Sequence, residues 1–164
     1  MSFLVRRINR PKWKCENEND VFADAVTSCL RTQNNAISVW KIDTIEQLNN
    51  AVLALITGAK QTKLSKIDCV LLDENIVLEK GLVLDETNGD TVVEDLVNTH
   101  KDIEKLTYSK LGVLKDLILE RLETDKYRLF SIDQLREILK KAIEDGRVDI
   151  TRLNEDFVKN EKLV

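Results

Sequence analysis

Residues 66–73 read KIDCVLLD, and within them Cys69-Val-Leu-Leu72 is apolar without a break. A strand with one solvated face alternates apolar and polar side chains. An unbroken run of this kind predicts a strand covered on both faces. Any fold for this chain has to enclose that strand. At 164 residues with 43% hydrophobic content the chain is long enough to do so, since a chain of this size buries about 70% of its unfolded surface. Five glycines and one proline leave few positions for long irregular loops.

Two further strands are predicted upstream. SFLVRRI (2–8) is short, apolar and partly β-branched, and Pro11 closes it because proline donates no ladder hydrogen bond. AISVWKI (36–42) follows the Asn34-Asn35 turn. Downstream, NIVLEKGLVLDE (75–86) reads as a hairpin or two short strands about Lys80-Gly81, with Asn88-Gly89 as a second turn.

Helices are marked by their caps. Asp20 is placed as an N-cap ahead of Phe22, Ala25, Val26, Cys29 and Leu30 at helical spacing. Thr44-Ile-Glu-Gln47 is a capping box opening a helix over 45–57, with Gly58 as its left-handed stop. Thr91-Val-Val-Glu94 predicts a helix over 92–105. The stripe Leu111, Leu114, Leu117, Ile118 and Leu122 predicts one over 108–123. Ser131-Ile-Asp-Gln134 is a further box, with Phe130 stapling onto Leu135 and Gly146 past the end. A short last helix starts near Thr151. Strands crowd the first half and helices the second. The expectation is an α+β fold, with a small mixed or antiparallel sheet packed by helices in residues 1–123 and a helical extension or subdomain in 124–164.

The only histidine, His100, falls on the predicted 92–105 helix beside its apolar stripe, one turn before Glu104. That spacing admits a satisfied structural histidine, which is the favoured reading, or a general base oriented by Glu104. Cys15, Cys29 and Cys69 form no CxxC, and the last two lie on apolar faces, as inert buried thiols do. A single histidine excludes HExxH, and the acids of DETNGD (85–90) miss the offsets of a calcium loop. No GxGxxG, GxxxxGK[ST] or GxSxG occurs. No metal or cofactor is expected.

Charge is segregated. Arg6, Arg7, Arg10, Lys12 and Lys14 stand in the first fifteen residues without an acid, whereas residues 16–93 carry 13 acids against 6 bases. The basic head, with Trp13 to stack on a base, suits nucleic acid, and Lys60, Lys63 and Lys66 would extend its patch. The alternative is a charged edge strand guarding its sheet. Trp40 either fills the core beneath the 45–57 helix, the favoured reading, or anchors a partner. With Asp85, Glu86 and Asp90 it makes up the candidate partner-binding set. Segregated charge without a catalytic constellation points first to binding another protein, as an accessory subunit or an immunity- or antitoxin-like inhibitor. Nucleic-acid binding is the second class and a His100–Glu104 enzyme the third. The longest apolar run, Ala51–Ile56, is far short of the roughly 20 residues of a membrane span. The N-terminal apolar stretch is too short for a secretory signal. A soluble cytoplasmic protein without membrane association is expected.

Overall fold

The computed structural model describes every residue except Glu18, and Glu16 in its backbone alone. In chain order the strands and helices begin with β1 (Phe3–Ile8), the short ribbon β2 (Cys15–Asn17) and β3 (Asp20–Val21), and α1 (Ala23–Cys29). There follow β4 (Ile37–Ile42), α2 (Leu48–Ile56), β5 (Ile67–Asp73), α3 (Glu74–Glu79), β6 (Val83–Glu86) and β7 (His100–Glu104). The chain ends with α4 (Tyr108–Arg121), β8 (Tyr127–Phe130), α5 (Ile132–Glu144) and α6 (Glu155–Asn160).

Six strands make one sheet in the order β6-β7-β4-β1-β5-β8, each antiparallel to its neighbours. The fold is α+β. β4 and β5 flank β1, so the β4-α2-β5 segment crosses over it. Side-chain alternation divides the interior in two. Phe3 and Val5 of β1 join Cys69 and Leu71 of β5, Trp40 of β4, and residues from α2, α5 and α6. Leu4 and Ile8 join Val70, Leu72, Val39, Trp13 and residues from α1 and α4 on the other face. Every residue of β5 is buried, as its unbroken apolar run requires. Trp40 is buried beneath α2, in the core position favoured for it.

Residues 124–164 contribute β8 to the sheet edge beside β5 and α5 to the same core as α2. The Ser131 box forms in full. Its hydroxyl accepts from the Gln134 N–H at 3.2 Å, and the Gln134 side chain accepts from the Ser131 N–H at 2.8 Å. Gly146, at φ 72°, ends α5 with a Schellman pair, Gly146 N–H to Ile143 O and Arg147 N–H to Ala142 O. No helix among the described residues is long and apolar enough to cross a membrane.

Several local readings are corrected. β1 is interior, between β4 and β5, so it is not a charged edge strand. Residues 74–79 are helical where a hairpin was expected. Gly81 keeps its turn role at φ 78°, terminating α3 as Gly81 N–H bonds Leu78 O and Leu82 N–H bonds Val77 O. The 92–105 helix is replaced by a 3-10 turn, Glu94–Thr99, and then β7. Thr91 does not cap it: its hydroxyl is 2.7 Å from the Thr57 hydroxyl and accepts from the Val93 N–H. That pair seats Val92 and Val93 in the core, and pairing with β4 then draws residues 100–104 into the sheet. Asp20 lies in β3 and binds Lys115, while Phe22 occupies the N-cap of α1. Thr44 makes no side-chain cap bond. The box does not form, because the Gln47 side chain accepts from the Asp43 N–H and not from that of Thr44. Gly58 is not left-handed. Its missing Cβ makes room for Asp90, whose backbone oxygen would lie 3.2 Å from one.

Candidate functional site

Antiparallel pairing sets residues from successive strands in rows across the sheet. One row runs through Trp40 and His100, which are directly paired on β4 and β7. The His100 ring packs edge-on against Trp40, centroids 5.0 Å apart and planes at 76°. Its Nδ1 shares a 2.7 Å hydrogen bond with the Thr87 hydroxyl. Gly89 completes the enclosure, since a Cβ there would fall 2.2 Å from Trp40 Cη2 and 2.8 Å from His100 Cβ. Burial pulls the imidazole pKa below its ordinary value, although Asp102 pulls the other way.

Glu104 is not part of this arrangement. On a strand, four residues span about 13 Å, and Glu104 sits at the far end of β7 opposite Val83, with its carboxylate beside Lys105. The predicted dyad depended on helical spacing and is lost with the helix. Two of the three thiols are buried. Cys69 is buried and pushed up to about 12 by burial. Cys29 is buried, its sulfur accepting from Trp13 Nε1 and the Asn9 N–H, and Cys15 is exposed. No group of three or more metal-ligating side chains is gathered among the described residues.

The basic head is used in part from within. Trp13 is only 1% exposed, so it offers no face to a base. Arg6 donates to Ser38 O at 2.8 Å and Cys29 O at 2.7 Å. Arg10 binds Glu123 at 2.6 Å and lies over the Tyr127 ring. Arg7, Lys12 and Lys14 remain at the surface. The stacking face expected of Trp13 is thereby removed, while three of the five cations keep their exposure.

The candidate partner-binding acids are gathered differently. Asp85 and Glu86 lie on β6, the terminal strand of the sheet, and both are exposed. Asp85 pairs directly with Asp102 of β7, while Glu86 faces Lys101 and binds it at 3.0 Å. Asp102 is tied on its other side by the Ser38 hydroxyl at 3.3 Å. Asp90 stands apart at the end of α2, accepting from the Ala59 N–H at 3.0 Å. Trp40 is enclosed by the core and is no surface anchor.

The Asp85–Asp102 pair is the residue constellation missed from sequence. Like charges directly opposite on neighbouring strands destabilise a sheet. Asp85 lies on the outermost strand, β6, and Asp102 on its inner neighbour β7; the far side of β6 has no paired strand among the described residues. The sequence carries no local signal for the pair, since His100 to Glu104 is polar at every position except Ile103. Compared with known proteins, the chain matches no family, no curated protein and no solved structure.

Proposed function

We propose that the protein is an interaction module that binds another protein, in the manner of an accessory subunit or an inhibitory immunity-type protein. A basic, extended partner segment adds to the open edge at β6. The supporting observation is that Asp85 of that edge strand directly faces Asp102 of β7 behind it. A free edge strand offers main-chain hydrogen bonds to an incoming strand. Two facing carboxylates select a lysine or arginine on it and repel acidic competitors. A partner cation between the carboxylates removes their repulsion, so an arrangement unfavourable in the free protein becomes favourable in the complex.

The test is a pull-down from the source cell after nuclease treatment, using the full chain and an Asp85→Lys/Glu86→Lys variant. The wild type is expected to retain a stoichiometric basic protein, and the variant to lose it. Equal retention by both would refute the edge. Recovery of nucleic acid in place of protein would refute the whole reading.

A further inference from the structure

β1 pairs with β5 along its full length, Phe3↔Asp73 to Ile8↔Asp68, but with β4 only from Phe3↔Ile42 to Val5↔Trp40. Beyond Val5 the sheet therefore parts between two of its central strands. The Arg6 guanidinium stands at the parting, donating to the carbonyls of Ser38 on β4 and Cys29 at the end of α1. A cleft of about 470 Å³ opens there, lined by Arg6, Arg7 and Lys66 with Asn9, Ser28 and Asp68 among the other walls. None of these three cations is ion-paired with a carboxylate among the described residues. The Arg6 Nε–H is enclosed without a partner. The one lining carboxylate, Asp68, is already engaged. It accepts from the Tyr127 hydroxyl at 2.5 Å and the Arg10 N–H at 3.3 Å.

We propose that this cleft is an anion site and takes the terminal phosphate of a small phosphorylated molecule. A guanidinium carries five N–H donors, of which Arg6 spends two on carbonyls. Removing its charge from water without a counter-charge is unfavourable, and burial accordingly holds its pKa below the ordinary arginine value. A phosphate supplies both the missing charge and the acceptors, in a geometry that suits arginine. Arg7 and Lys66 stand at the same opening to complete its neutralisation. The volume lies within the range of about 300–1,000 Å³ usual for small-molecule sites. A nucleic-acid strand is the poorer occupant. Its diester phosphates are singly charged, the nearby Trp13 is buried, and the body of the chain is acidic.

The test follows the Arg6 Nε–Hε resonance of the ¹⁵N-labelled full chain. Inorganic phosphate, a nucleoside 5′-monophosphate or a short single-stranded DNA is added at constant ionic strength set with sodium chloride. Phosphate and the monophosphate are expected to shift the resonance saturably. Arg7→Gln and Lys66→Gln should each weaken the apparent affinity about tenfold, the loss of one charge-assisted contact. These exposed-side variants spare the Arg6 contacts that hold the fold. Lys12→Gln, which removes a cation outside the cleft, should leave affinity unchanged. The site is overturned if phosphate produces no saturable shift at millimolar concentration, if Lys12→Gln weakens binding equally, or if only the DNA binds.

Discussion

Replacing Asp85 with lysine turns a like-charge cross-strand pair into an opposite-charge one, without touching the core. Asp85 is exposed on β6 and faces Asp102 on β7. Directly opposed side chains have Cβ atoms about 5 Å apart and interact by roughly 0.2–1 kcal/mol, with either sign. Relief of repulsion and gain of attraction add, while solvent and salt diminish both. The net expectation is a stabilisation of about 1 kcal/mol, or about 2–4 °C in melting temperature for a chain of this size. Asp85→Asn should gain about half of that, roughly 0.5 kcal/mol, since it removes the repulsion alone. The assay is thermal unfolding by circular dichroism at about 0.01 M and about 1 M salt, where the screening length falls from about 30 Å to about 3 Å. The gain should appear at low salt and largely vanish at high salt. A loss of stability at low salt, or a gain that survives 1 M salt, would refute the electrostatic account. Partner binding should weaken in the same variant that melts later. That opposition is the signature of a residue kept for recognition at the expense of stability.

Gly89→Ala places a methyl group against Trp40 and the His100 Cβ, with the nearest approach 2.2 Å; overpacking of this kind costs about 1–3 kcal/mol, read from urea unfolding. His100 is held mostly neutral because burial lowers its pKa. The unfolded chain therefore binds the extra proton first, and stability should fall as pH drops through about 6.5 towards the lower folded value. His100→Gln should flatten that part of the stability–pH curve, and an unchanged slope would show that another group sets it. Ser131→Ala removes the hydroxyl that accepts from Gln134 and should cost about 0.5–2 kcal/mol, visible in the same unfolding assay.

The elements legible in the sequence are those whose signals are local. The unbroken run of β5, the capping box of α5 and the glycine that ends it all work within a few residues of themselves. β7 was illegible because its residues carry no strand period. Leu96, Val97, Ile103 and Leu106 fit helical spacing, while His100 to Glu104 contains a single apolar residue, Ile103, and does not alternate. The hydrogen-bonding edge of β4 overrode the helical pattern, and that edge is not present in local sequence. α3, at six residues, is too short for a period to show.

The candidate sites divide along the same line. Acid content near residue 85 and base content near residue 6 are plain in the sequence. Which acids face each other depends on the β6–β7 register. Which cations are consumed internally depends on β1 lying between β4 and β5. Trp13 and Arg6 could be read as exposed only while β1 was free to be an edge.

Hydrogen–deuterium exchange of the backbone amides of Val83–Glu86, in the free chain and in the complex recovered with its partner, tests the interaction edge most directly. Strand addition predicts that β6 amides exchanging freely in the unbound protein become protected in the complex, with protection lost in the Asp85→Lys/Glu86→Lys variant. Protection confined to other elements, with β6 exchanging alike in both states, would contradict the account.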